Sequence, residues 1–286
     1  MIVPLFAAGL AGVLMASATI YGQFTSGVNL VEVYATVTDR LGEPVAGLAA
    51  SDFRIVEDGT PQPITAFAAG EFPLAVGIGL DRSFSMAGAG NRLAAAKSAA
   101  RTFIDALRPA DHVMVIAIGS DTAIIAPLSS DRGAALAAID RLDAWGTTPL
   151  YDATVVALDA IQTAKGRRAL VLLSDGTDRY SDTRAADLVE QARRRDVLIY
   201  PVALGSARPP LFAELAAATG GRSFHAREPR ELASTMATIA QELRFQYLLG
   251  YVPTRGVSPE PAWHAIEVTV SRPEVRVRAR DGYLSR

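Results

Sequence analysis

The stretch that most limits what this chain can fold into is Leu74-Ala75-Val76-Gly77-Ile78-Gly79-Leu80, which runs without a polar side chain into Asp81-Arg82-Ser83-Phe84-Ser85. An apolar run with no alternation reads as a strand buried on both faces, the situation of a strand in a parallel sheet covered by helices. Such sheets place ligands in the crevice outside the carboxyl ends of their strands, and this strand ends in one carboxylate and two hydroxyls. These are hard oxygen donors of the kind that suits a magnesium-type ion. Alone, Asp-x-Ser-x-Ser also fits a turn or a helix cap.

The residues after Phe72 alternate between strand and helix patterns. An Ala-rich stretch from Asn91 to Leu107 has apolar residues at i, i+3, i+4 spacing and predicts a helix. Strands are predicted over 112–119, 122–128, 169–174 and 197–204, with a short one over 222–225. Helices are predicted over 132–142, 151–164, 183–194, 211–219 and 231–244. The alternation predicts an α/β fold, a doubly wound and mostly parallel sheet with right-handed crossovers.

Two later stretches bear on the donors. Gly146-Thr147-Thr148-Pro149-Leu150-Tyr151-Asp152 puts a hydroxyl in a loop before a helix, and Ala169-Leu170-Val171-Leu172-Leu173-Ser174-Asp175-Gly176 is a second buried strand ending in a carboxylate. With these in order, the sequence from about Phe72 to Gly250 resembles the von Willebrand factor type A domain. The metal-ion-dependent adhesion site of that family is Asp-x-Ser-x-Ser, a distant Thr and an Asp after a later strand. The resemblance implies that Asp81, Ser83, Ser85, Thr148 and Asp175 hold Mg2+, or Mn2+ or Ca2+, directly or through water. Neutral hydroxyl ligands leave much of the ion's charge uncompensated, and in the family a Glu or Asp of a partner protein often completes the coordination sphere. The expected function is therefore a metal-dependent protein-binding module whose partner offers a carboxylate. A structural or assembly domain with a weak or vacant site is the alternative.

Four neighbours of the donors are singled out. Phe84 stands where the family commonly has Gly, and if that position required φ > 0 a bulky residue would cost on the order of 1 kcal/mol or more. Arg82 either attracts an acidic partner or is solvated. Trp145 either contributes to a binding rim or wedges its loop against the sheet. Asp178 either supports the site or lies exposed in its loop.

Composition removes other classes. With 28 basic against 30 acidic residues, a net charge of -2, nothing points to nucleic acid. The absence of Cys removes thiol catalysis and thiolate metal sites. Gly77-Ile78-Gly79-Leu80-Asp81-Arg82 lacks the third Gly of a dinucleotide fingerprint, and no phosphate loop is present. His112, His225 and His264 have no paired spacing and read as surface or strand-end residues. Ser174 with His225 is the one hydrolase pair the sequence offers. No enzyme and no small-molecule substrate is the expectation.

The two ends of the chain read differently. Residues 1–18 carry no charged side chain, their apolar run from Ile2 to Met15 is too short for a typical span of about 20 residues, and Ala16-Ser17-Ala18 has the form of a secretory cleavage site. Export, to the periplasm or beyond, is expected, with an uncleaved membrane anchor as the alternative. Leu30 to Asp39 alternates with period two and Asp52 to Gly59 reads as another strand running into a tight turn, and residues 28–70 resemble the small β module that precedes the A domain in many exported bacterial proteins. Residues 245–286 return to β. Three strands there make a marginal core alone, so they are expected to pack with the N-terminal module, with residues 72–244 inserted between the two halves of a β-sandwich.

Overall fold

The computed structural model describes residues 30–70, 72–88, 91–255 and 260–285. The leader expected over residues 1–18 lies outside them.

The central sheet has six strands in the order β10-β9-β8-β5-β6-β7. These are β5 (Leu74–Asp81), β6 (His112–Ile118), β7 (Ala123–Ser129), β8 (Arg167–Ser174), β9 (Leu198–Leu204) and β10 (Phe224–Ala226). All pairs are parallel except β6 with β7, which closes one edge as an antiparallel hairpin. β5 is buried at every position, as its unbroken apolar run requires.

Six helices cover the sheet. α1 (Arg92–Ala106), α2 (Arg132–Asp140) and α6 (Leu232–Arg244) pack one face through Phe103, Ile104, Ile139, Met236 and Ile239. α3 (Leu150–Ile161), α4 (Ala185–Arg194) and α5 (Pro210–Thr219) pack the other through Leu158, Ile161, Leu188 and Phe212. Local chemistry sets the ends: the Asn91 and Asp131 side chains accept from the N–H groups of Ala94 and Ala134 at the starts of α1 and α2. Arg193 and Arg194 lie in the last turn of α4, where cations complement the helix dipole. The α/β fold is as the alternation predicts.

Two antiparallel sheets stand beside this unit, in the orders β13-β1-β11-β4 and β14-β12-β2-β3. The strands are β1 (Val31–Thr38), β2 (Phe53–Glu57), β3 (Thr60–Gln62), β4 (Ala66–Gly70), β11 (Gln246–Tyr251), β12 (Trp263–Val270), β13 (Arg276–Arg278) and β14 (Gly282–Leu284). Each sheet mixes strands from both ends of the sequence: β1 pairs with β11, and β2 with β12. Their inner faces share one core of Val33, Ile55, Leu249 and Ile266, with Phe53 and Tyr247 rings 5.0 Å apart across it. β14 is an addition to the predicted strands, three residues held by pairing with Trp263–Ala265.

Buried polar groups tie the parts together. Glu242 of α6 is fully buried, and its two oxygens accept from Arg222 Nη1 at 2.6 Å and from Arg278 Nη2 of β13 at 2.7 Å. Arg167 donates to Gln246, which donates to Thr36, joining β8 to β11 and β1; burial lowers the Arg167 guanidinium to about 10. Inside the sandwich, Glu57 accepts from Arg255 Nε at 2.6 Å, Tyr251 Oη at 2.5 Å and Tyr283 Oη at 3.1 Å. His264, read from the sequence as a surface or strand-end residue, stands next to the start of β12 but does not face solvent. It is buried on β12 with Nδ1 2.6 Å from Asp58 Oδ2, and that hydrogen bond is the main reason the Asp58 carboxyl is lowered.

Candidate metal centre

The chain leaves β5 for β6 over the face carrying α1, and leaves β8 for β9 over the face carrying α4. β5 and β8 are neighbours, so the winding reverses between them and a crevice opens at their carboxyl ends. Asp81 ends β5, and Ser174 with Asp175 ends β8.

Asp81 is fully buried. Its Oδ1 accepts from the Ser83 N–H at 2.9 Å, and its Oδ2 accepts from the Ser174 hydroxyl at 2.6 Å. Burial is the main cause that pushes its carboxyl above the usual range, and the charge of Asp175 adds to it, while the serine hydrogen bonds oppose it. Two carboxylates thus share the crevice, one of them out of water. After Ser83 the chain makes one tight turn over Phe84–Met86, and the Ser83 and Ser85 hydroxyls come to 3.0 Å. Ser83 is buried and Ser85 is open to solvent.

Backbone hydrogen bonds clamp the Gly146 loop to this one, and the Asp175 loop to the Gly146 loop. Phe84 N–H donates to Gly146 O at 3.0 Å, Trp145 N–H to Arg82 O at 2.6 Å, and Arg179 N–H to Thr148 O at 2.7 Å. Thr148 is buried beside Gly146, whose φ of +76° and lack of Cβ are both needed, since a Cβ there would stand 2.3 Å from Ser120 Oγ. Asp175 accepts from Thr177 N–H through Oδ1, and its Oδ2 lies 4.0 Å from Arg92 Nη1. Gly176 follows at φ +79°, where a Cβ would meet Pro209 Cγ at 2.0 Å.

The donor set fits a small dication. Neighbouring ligands of an octahedral ion at ~2.1 Å stand ~3.0 Å apart, √2 times the bond length. The Ser83 and Ser85 hydroxyls, hydrogen-bonded to each other here, stand at a separation of 3.0 Å that matches such an edge. Asp81 brings a buried negative charge to the same turn, and a cation is the partner such a charge needs.

The remaining residues fall as follows. Phe84 has no positive φ, so a Gly at its position is not required and the loop carries no strain on that account. Arg82 is neither free for an acidic partner nor merely solvated; its Nη2 pairs with Asp121 Oδ1 at 3.1 Å. Trp145 is 56% exposed and does not wedge the loop; its ring stands edge-on to Phe84 at 6.2 Å. Asp178 accepts from Tyr151 N–H and Ser181 Oγ, so it braces the start of α3 and the Asp175 loop. The Ser174–His225 pair does not form: Ser174 is spent on Asp81 and on the Gly176 N–H, and His225 Nε2 lies 2.7 Å from Gly205 O. What the sequence hid was Ser174 as the residue that orients Asp81, and Arg92 as the cation facing Asp175.

Among the described residues a second group of possible ligands, Glu57, Asp58 and His264, has donor atoms within 4.8 Å of one another. Glu57 there already carries the Arg255 guanidinium and two tyrosine hydroxyls, and a dication would have to displace a cation to bind. It is an internal ion-pair network.

Residues 78–177, which include every candidate ligand, match the family model of the von Willebrand factor type A domain. The chain contains a von Willebrand factor type A domain. The solved structure of a von Willebrand factor type A protein from Catenulispora acidiphila aligns with 93% of this chain and 75% of its own, at a TM-score of 0.56 and 16% identity. BatB from Bacteroides thetaiotaomicron aligns with 59% of this chain and 97% of its own, at a TM-score of 0.51 and 20% identity. A UPF0353 protein of Mycobacterium marinum is 26% identical over 189 residues. The A-domain chain spans 56% of the length of that curated relative, and the matched part is 56% of the chain. Among the described residues, no helix is long and apolar enough to cross a membrane.

Proposed function

We propose that this A domain is an exported, metal-dependent protein-binding module. Ser83, Ser85 and Thr148, with Asp81 and Asp175, would hold Mg2+ or Mn2+, and the ion would supply a positive charge that attracts a carboxylate of the partner protein. The observation that supports this reading is the Ser83–Ser85 hydroxyl separation of 3.0 Å, the length an octahedral edge would have, beside the buried Asp81 at the winding switch. Residues 72–244 are read as the binding unit, and residues 28–70 with 245–286 as its β carrier. No step of covalent chemistry is assigned to the site.

Calorimetric titration of Mn2+ into the wild type should show one site. Asp81→Ala, Ser85→Ala and Thr148→Ala should each weaken it by tenfold or more, on the order of 1.4 kcal/mol. Equal affinity in wild type and Asp81→Ala would remove the ion from this crevice. Arg92 favours a second reading, because its guanidinium 4.0 Å from Asp175 already brings positive charge to the site. On that reading the domain is an assembly element with a vacant centre, and no Mn2+ binds in the wild type. Export is checked separately: the mass of the native chain should correspond to a start after about Ala18, and a soluble cytoplasmic chain retaining Met1 would rule the leader out.

A further inference from the structure

We propose that Phe84, Trp145 and Tyr180 form an apolar rim around the metal centre, and that the partner presents its carboxylate within an apolar segment of chain. The inference rests on the metal-binding reading and adds the partner's chemistry to it.

Among the described residues, these are the three most exposed aromatic side chains, at 62%, 56% and 80%. Single exposed apolar residues are ordinary on a protein surface and need no explanation. Their distribution is not ordinary: one stands on each loop that supplies a candidate ligand. Phe84 lies between Ser83 and Ser85, Trp145 precedes Thr148 in its loop, and Tyr180 follows Asp175 in the third.

The backbone beneath all three is fixed while the rings stay in solvent. The Phe84 N–H and the Trp145 N–H both bond across the two loops, and the Phe84 and Trp145 rings meet edge-on at 6.2 Å and 62°. Tyr180 has φ +69°, a conformation that costs a non-glycine residue strain and persists where neighbours enforce it. Those neighbours are the Arg179 N–H on Thr148 O and the Asp178–Ser181 hydrogen bond. Side chains carried on a backbone already fixed lose only their own torsional freedom when a partner covers them.

Charge narrows the occupant. Arg82 is already paired with Asp121, and Arg179, exposed beside Tyr180, adds one positive charge to the rim rather than the row of charges that an extended acidic run would need. A cation on mostly neutral ligands attracts one carboxylate, and the aromatics reward apolar groups beside it. A Glu or Asp flanked by Leu, Ile or Phe fits both demands; a polyacidic segment fits only the first.

The test uses two fluorescein-labelled peptides of equal length and charge, each with one central Glu, flanked by Leu and Phe in one and by Ser and Gly in the other. Anisotropy is read with the full chain in excess Mn2+. The apolar-flanked peptide should bind about tenfold tighter in the wild type. Phe84→Ser with Trp145→Ala, and separately Tyr180→Ala, should reduce that preference to about twofold, while calorimetry shows unchanged Mn2+ affinity; Phe84→Leu should retain it. If Mn2+ binds but the two peptides bind alike, or neither binds, or the preference survives in the double variant, the rim is refuted and the metal centre stands. Loss of Mn2+ affinity in the double variant would make the aromatics part of the loop framework and overturn the rim. If the wild type takes up no Mn2+, the metal reading fails and this inference fails with it.

Discussion

Removing both guanidinium groups that face Glu242, by Arg222→Ala with Arg278→Ala, is expected to lower the unfolding free energy by about 3–5 kcal/mol. Glu242 has no exposed surface, and its two oxygens accept one hydrogen bond from each arginine, at 2.6 and 2.7 Å. Without them a carboxylate stays in the joint between α6 and β13 with nothing to balance its charge. A domain of this size loses about 2–4 °C of midpoint per kcal/mol, so the loss should be visible as a fall of about 6–20 °C. The signature that separates charge from lost packing is an asymmetry. Adding Glu242→Leu to the double variant removes the stranded charge and should restore much of the stability, because three matched deletions cost less than an unmatched one. If the triple variant is no better than the double, the arginines act by packing alone. Urea unfolding followed by circular dichroism reads both.

The second large loss is expected at Glu57. Glu57→Ala deprives the Arg255 guanidinium and the Tyr251 and Tyr283 hydroxyls of one shared acceptor in the middle of the sandwich core. Tyr251 is fully buried and Glu57 is its side chain's partner at 2.5 Å, so its hydroxyl is left without one, at about 1–3 kcal/mol. Arg255 is partly exposed and recovers some hydration, which holds the total near 3 kcal/mol rather than the upper end of the range for broken buried pairs. Tyr251→Phe should cost only about 1 kcal/mol, since Glu57 keeps Arg255 and Tyr283. Equal losses in the two variants would mean that the carboxylate matters only to Tyr251.

The parts of this molecule that were legible in its sequence are those with a period. Leu74–Asp81 had to be a covered strand because it has no polar face, and the Ala-rich stretch around Phe103 had to be a helix because its apolar residues recur on one side. The family motif could be found because Asp81, Ser83 and Ser85 are close in sequence and the stretches with Thr148 and Asp175 are bounded by recognisable strands and helices. Contacts between distant polar groups have no such signal. Ser174 orienting Asp81, Glu57 holding Tyr251, and His264 buried on Asp58 each join residues 93 or more positions apart. Nothing in the local spacing of His264 distinguishes a buried histidine from a solvated one. β14 escaped for a related reason, since three residues hold no pattern and their conformation is set by the strand they pair with.

The chain leaves the sandwich at Gly70 and returns at Gln246, and these two residues face each other as register partners of β4 and β11. Everything between them is, topologically, the loop of one antiparallel hairpin. Closing so long a loop from an unfolded chain costs about 4–5 kcal/mol by the logarithmic law. A folded α/β unit removes that cost by holding its two ends one strand spacing apart, ~4.8 Å. The kinetic order follows: the interior unit sets first, and the hairpin that encloses it zips afterwards. Pulse-labelled hydrogen exchange during refolding should find the amides of β5 and β8 protected before those of β4 and β11; the opposite order would mean that the sandwich closes around a chain still unfolded.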